Sequence, residues 1–80
     1  MDELQKRLEA IEERGYILEI TPHNQLDNGY SDAVESGDIN LITYTATIYN
    51  VSIERNYGAA SKDTFHEALL WGLETAESLV

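Results

Sequence analysis

Residues Asn40–Asn50 read NLITYTATIYN, and the alternation within them decides the fold. Ile42, Tyr44, Ala46 and Ile48 fall on one face, while Leu41, Thr43, Thr45, Thr47 and Tyr49 fall on the other, which is the period of two of a β-strand. A threonine at every second position suits a sheet face in contact with water. The opposite face is apolar and has to be covered by other parts of the chain.

Working outward toward the N-terminus, Tyr16–Thr21 alternates in the same way. Tyr16, Leu18 and Ile20 lie on one side and Ile17, Glu19 and Thr21 on the other, and Pro22, which lacks an N–H, is expected to end the pairing. Before it, Leu4, Leu8 and Ile11 recur at helical spacing over residues 2–14. Met1 extends that stripe, and Gly15 is a natural stop. Asp2 and Glu3 in the first turn and Arg14 in the last complement the helix dipole.

Toward the C-terminus, Asn50 is expected to open a hairpin turn into a third strand over Val51–Tyr57, with Val51, Ile53, Arg55 and Tyr57 in phase. An uninterrupted strand bulged at Asn50 is the alternative. The final segment is the clearest helix. Phe65, Ala68, Leu69, Gly72, Leu73, Ala76 and Leu79 or Val80 make one broad stripe. Ser61 or Thr64 caps it, the latter with Glu67 in capping-box spacing. Gly72 lies inside the stripe at a cost of about 1 kcal/mol relative to alanine. A close approach of this helix to the sheet or to the first helix would explain it.

Residues 22–38 separate the first two strands and are dominated by turn formers: Pro22, Asn24, Asp27, Asn28, Gly29, Ser31, Asp32, Ser36, Gly37 and Asp38. Asn28-Gly29 is the sharpest turn signal, and Ser31–Ser36 can form a short helical turn. The resulting order is α-β-β-β-α. The chain is therefore read as one α+β domain over residues 1–80, a three-stranded antiparallel sheet with two helices packed on one face.

Charge narrows the function. The 80 residues carry 15 acids against five bases, a formal net charge of −10. Between Arg14 and Arg55 there is no Lys or Arg, yet Glu19, Asp27, Asp32, Glu35, Asp38 and Glu54 all fall there. A field of one sign argues against direct binding of a phosphate backbone, which requires Lys and Arg. The absence of cysteine removes disulfides and thiolate chemistry and favours a reducing compartment. There is no apolar run of the roughly 20 residues that a bilayer span needs, and the acidic N-terminus does not look like a secretory signal. A cytoplasmic protein that does not bind membranes is expected.

Tyr57-Gly58-Ala59-Ala60-Ser61-Lys62, followed by the helix Thr64–Val80 with its Ala68-Leu69, resembles the end of double-stranded-RNA-binding folds. It is also similar to small phage and prophage proteins of that topology, including phage-type alpha-beta-alpha sandwich domains. The resemblance implies the element order of the whole chain and the strand-to-helix junction. RNA-binding members of such folds place a lysine cluster at the start of the last helix. Here Lys62 stands alone, followed by Asp63, Thr64, Phe65, His66 and Glu67, so the resemblance implies the fold without the RNA contact. A second likeness, to small antitoxin-type domains, rests on Thr64, Glu67, Ala68 and Leu69.

Catalytic and metal chemistry have little support in the sequence. Asn24, Asn28, Gly29, Asp32 and Glu35 can be laid on a calcium loop, but Leu26 stands where an oxygen ligand is needed and a strand precedes where the motif needs a helix. His23 and His66 have no partner at ligand spacing. The chain is read as a non-enzyme with no cofactor, no metal and no nucleic-acid ligand of its own.

The candidate binding residues are the carboxylates Asp27, Asp32, Glu35, Asp38, Glu19 and Glu54, together with Trp71, Leu70 and Tyr30. Carboxylates spaced on a rigid scaffold imitate a phosphate array for a basic groove. Leu70 and Trp71 flank the core stripe of the last helix, and a tryptophan within a polar rim is a common interface anchor. The expected partner is a protein with a basic surface, such as a nuclease or defence complex. The alternative is a structural module that pairs with a second copy of itself.

Overall fold

The computed structural model describes residues 2–79. In chain order the elements are α1 (Glu3–Glu13), β1 (Tyr16–Asn24), α2 (Ser31–Ser36), β2 (Ile42–Asn50), β3 (Arg55–Lys62) and α3 (Phe65–Ser78). The strands form one antiparallel sheet in the order β1-β2-β3, so the alternating stretch is the central strand. The fold is α+β, with the order α-β-β-β-α interrupted by the short α2.

Helix α1 begins where the Asp2 carboxylate accepts the Leu4 N–H at 3.1 Å. Helix α3 is capped by Thr64, whose hydroxyl accepts the Glu67 N–H at 3.1 Å and donates to Glu67 Oε1 at 3.3 Å, so the cap is Thr64 and not Ser61. Each cap satisfies an N–H that the first turn cannot bond internally.

Both α1 and α3 lie on the face that carries Tyr16, Leu18 and Ile48. Helix α3 touches all three strands, and α1 touches β1 and α3. Ile11, Tyr16, Ile48, Leu73 and Ala76 form the buried centre, with Leu4, Leu8, Leu18, Tyr57, Leu69 and Trp71 packed around it. Gly72 is explained by this packing, because a Cβ there would overlap the side chain of Leu18. The helix-to-sheet approach is as close as the missing side chain permits.

A bidentate ion pair ties the two long helices together. Arg7 donates from Nε to Glu77 Oε2 at 2.9 Å and from Nη2 to Glu77 Oε1 at 2.6 Å. The hydrogen bond from Arg7 holds the Glu77 carboxyl below its ordinary range, against a smaller opposing effect of partial burial. The Arg7 guanidinium is correspondingly pushed up.

Three boundaries differ from the sequence reading. Strand β1 runs through Pro22 to Asn24, with Pro22 opposite Tyr44. It is an edge strand, where a residue without an N–H is tolerated. Strand β3 starts at Arg55, because Val51–Glu54 is the turn. Asn50, only 7% exposed, sets that turn by accepting the N–H groups of Ser52 at 2.9 Å and Ile53 at 3.4 Å on its Oδ1. The hairpin is therefore present, but Val51 and Ile53 project into solvent and do not continue a strand. Ala59–Lys62, beyond the expected end of the strand at Tyr57, pair with β2. The bulge lies here and not at Asn50: the register shifts between Thr47 and Tyr49 of β2, where Tyr57 and Gly58 lie between the paired Asn56 and Ala59 and Gly58 takes φ 109°.

Phe65 departs from the expected core stripe. It is 52% exposed, with its ring against Tyr44 near the start of the central strand at 5.9 Å in an edge-on arrangement. Its position as the first residue of α3 carries it beyond the end of the covered surface.

Candidate functional site

The connection between β1 and β2 folds as a hydrogen-bonded unit at one end of the sheet. Gln25 N–H donates to the Leu41 carbonyl at 2.9 Å and extends the ladder one step beyond the strands. The Asn24 side chain then accepts the Leu26 N–H at 2.9 Å, and Tyr30 N–H returns to the Gln25 carbonyl at 3.0 Å, closing a tight loop. Asn24 is thus engaged in turn geometry of the kind its short polar side chain favours, and the Asp27 N–H donates to the Asn24 carbonyl at 3.2 Å.

Tyr30 leads into α2, and Gly37 in the left-handed region at φ 83° ends it. Asp38 N–H and Ile39 N–H both donate to the Ala33 carbonyl, at 2.9 and 3.3 Å. Ser36 Oγ donates to Asp38 Oδ2 at 2.9 Å. None of the α2 residues is buried, so local bonds and not core packing shape this unit.

Asp27, Asp32, Glu35 and Asp38 are all exposed on this unit. Among the described residues the one ion pair is Arg7–Glu77, so these four carboxylates have no cationic partner. The two remaining candidate acids are not with them. Glu54 sits in the hairpin turn at the opposite end of the sheet, with φ 51°. The nine-residue β1 separates the two ends by about 26 Å at roughly 3.3 Å per step. Glu19 lies between, on the helix-free face of β1 opposite Thr47. The six acids that are continuous in sequence are therefore split four, one and one in space.

An open groove of about 480 Å³ lies between this unit and the sheet end, lined by none of the four acids themselves but by their chain neighbours Ala33 and Ile39 among others. Its lining is apolar at Tyr30, Ala33 and Ile39, polar at Gln25, Thr43 and Ser61, and charged at Lys62 and Asp63. The Gln25 amide donates to Thr43 Oγ1 and braces the polar side. Tyr30 is 54% exposed, so its ring is free to meet a ligand. Ile39, Thr43 and Ser61 were outside the sequence-derived site, because three separate segments have to meet before they share a surface.

Leu70 and Trp71 are both half-buried. Trp71 packs on the core cluster, so it serves the fold as well as the surface. Together with Lys62, Glu67 and Glu74 they line a shallower groove of about 270 Å³. Lys62 borders both grooves, which makes the two surfaces neighbours at one end of the molecule.

No group of three or more His, Asp or Glu that could hold a metal ion forms among the described residues. No described helix is long and apolar enough to cross a membrane. Comparison of the chain with family models, curated proteins and solved structures finds no match.

Proposed function

We propose that this chain is an inhibitor-type protein-binding domain whose acidic end occupies a basic, nucleic-acid-handling surface on a partner and keeps its substrate out. The observation that carries this reading is the set of four exposed, unpaired carboxylates, Asp27, Asp32, Glu35 and Asp38, gathered at one end of the sheet. Screening limits cooperation between charges to about 10 Å at moderate salt, so Glu54, at the other end of the nine-residue β1, does not join this group. The rest of the surface adds a long-range attraction for basic partners through the net charge of −10. The resemblance to small phage-type proteins fits such a role, since an inhibitor needs a compact scaffold and no catalytic pocket.

The test is affinity capture from a bacterial lysate at low and high salt. Capture of a basic nucleic-acid-handling protein is expected at low salt, falling steeply as salt rises. The variant Asp27→Asn, Asp32→Asn, Glu35→Gln, Asp38→Asn is expected to lose it. Capture that is insensitive to salt and to these changes would refute the reading.

The helix-free sheet face favours a second reading, a module that pairs with its own copy. Thr43, Thr45, Thr47 and Tyr49 are half-buried there with neither α1 nor α3 upon them. Sedimentation distinguishes the two: a mass that rises with concentration supports self-pairing, and a constant monomer mass removes it.

A further inference from the structure

We infer that the groove beside α2 is an anchor for one arginine side chain of the partner protein, stacked on Tyr30. The inference rests on the acidic-end reading and adds a specific residue type and seat to it. The walls formed by Tyr30, Ala33 and Ile39 are carbon surface, so they suit a ligand with an aliphatic or planar apolar part. The charged surroundings select its other end. Asp27, Asp32, Glu35, Asp38 and Asp63 stand at this end of the sheet against the single base Lys62, so a cation is favoured and an anion repelled.

Arginine meets both conditions better than lysine. Its methylene stem can lie along Ala33 and Ile39 while the head stays at the acidic mouth, as long cationic side chains do at apolar surfaces. Its planar guanidinium stacks on an aromatic face and presents a fork that a carboxylate such as Asp63 accepts on both oxygens. Lysine offers a compact, strongly hydrated charge that gains less from the ring. The exposed face of Tyr30 has no cation of this chain over it; the one such pair among the described residues is Arg55 over Tyr57 at 5.0 Å. A nucleic-acid-binding surface is rich in arginine for the same planar and bidentate chemistry, so the groove suits the partner class already proposed.

The experiment is an NMR titration of the isotopically labelled chain with an octa-arginine and an octa-lysine peptide of equal charge at low salt. The arginine peptide is expected to bind about fivefold more tightly, the size of an exposed cation–π contact. Its largest shifts should fall on Tyr30, Ala33, Ile39 and Thr43. Tyr30→Ala, at an exposed position, should abolish the preference for arginine while leaving the weaker charge-driven binding of both peptides. Glu54→Gln should change neither. Equal affinity for the two peptides, or a preference that survives Tyr30→Ala, would overturn the arginine anchor and leave the acidic-end reading standing. Failure of both peptides to bind at low salt would overturn that reading and the anchor together.

Discussion

The two ends of the sheet are built by different means. At the hairpin end, Asn50 is buried and bonded to its own turn, Val51 N–H reaches across to the Gly15 carbonyl at 2.9 Å, and Ile11, Tyr16 and Ile48 close the core nearby. At the α2 end, the chain is held by turn and helix hydrogen bonds, with no buried residue in α2 and with Leu26, Tyr30 and Leu41 exposed. The difference teaches where stability and recognition reside. Apolar burial supplies most of the stabilisation of a small domain, and it is concentrated away from the four loop acids. Those acids lie where the fold has least to lose.

The largest expected contrast comes from truncating one apolar residue at each end. Ile48→Ala removes a side chain at the centre of the core and should cost about 2–5 kcal/mol in denaturant unfolding. Val34→Ala, on the half-buried side of α2, should cost less than about 1 kcal/mol, as at other weakly packed sites. Equal losses would break the comparison. Asn50→Ala comes next: it strips the Ser52 and Ile53 N–H groups of their acceptor and should cost about 1–2 kcal/mol. A near-neutral result would mean that the turn is held by the Val51–Gly15 bond alone.

The Arg7–Glu77 pair gives a smaller, pH-dependent effect. Glu77→Gln should cost about 0.2–1 kcal/mol at neutral pH, the usual range for a solvent-exposed pair. Because the folded Glu77 carboxyl is held below its ordinary range, its contribution is fully present above the unfolded carboxylate range. It is lost as pH falls through the lowered folded value. The stability gap between wild type and Glu77→Gln should therefore close in strongly acidic solution. A gap that widens with acid would reverse the sign of the argument.

The same contrast separates what could be read in the sequence from what could not. Helices α1 and α3 and strand β2 were legible because each shows an apolar period, and Thr64 with Glu67 marked the start of α3 correctly. The hairpin at Asn50 was legible as a turn, yet its length was not. Val51 and Ile53 look like strand residues, but they fall in a turn held by the Asn50 side chain bonded to Ser52 and Ile53 and by the Val51 N–H on the Gly15 carbonyl. Gly58-Ala59-Ala60-Ser61 has too little side-chain contrast to show a period of two, so its pairing with β2 was hidden. Pro22 was misleading because its tolerance depends on β1 being an edge strand, which is a property of the sheet.

The candidate site divides similarly. The acids were visible as a charge run, but their separation into four, one and one depends on strand length and direction. The groove was invisible, since Tyr30, Thr43 and Ser61 meet only after the connection folds back on the sheet end. Trp71 was visible as an unusual residue, whereas its packing on the core was decided by the placement of α3.

The most direct test of the division between a stabilising end and a recognising end is denaturant unfolding of the variant Asp27→Asn, Asp32→Asn, Glu35→Gln, Asp38→Asn beside the wild type. Exposed positions away from special contacts shift stability by no more than about 0.5 kcal/mol, an asparagine at 38 keeps an oxygen that can accept the Ser36 hydroxyl, and removing like charges favours the compact state. The account predicts unchanged or slightly raised stability. A loss of more than about 1 kcal/mol would contradict it, because the acids would then be holding the fold together.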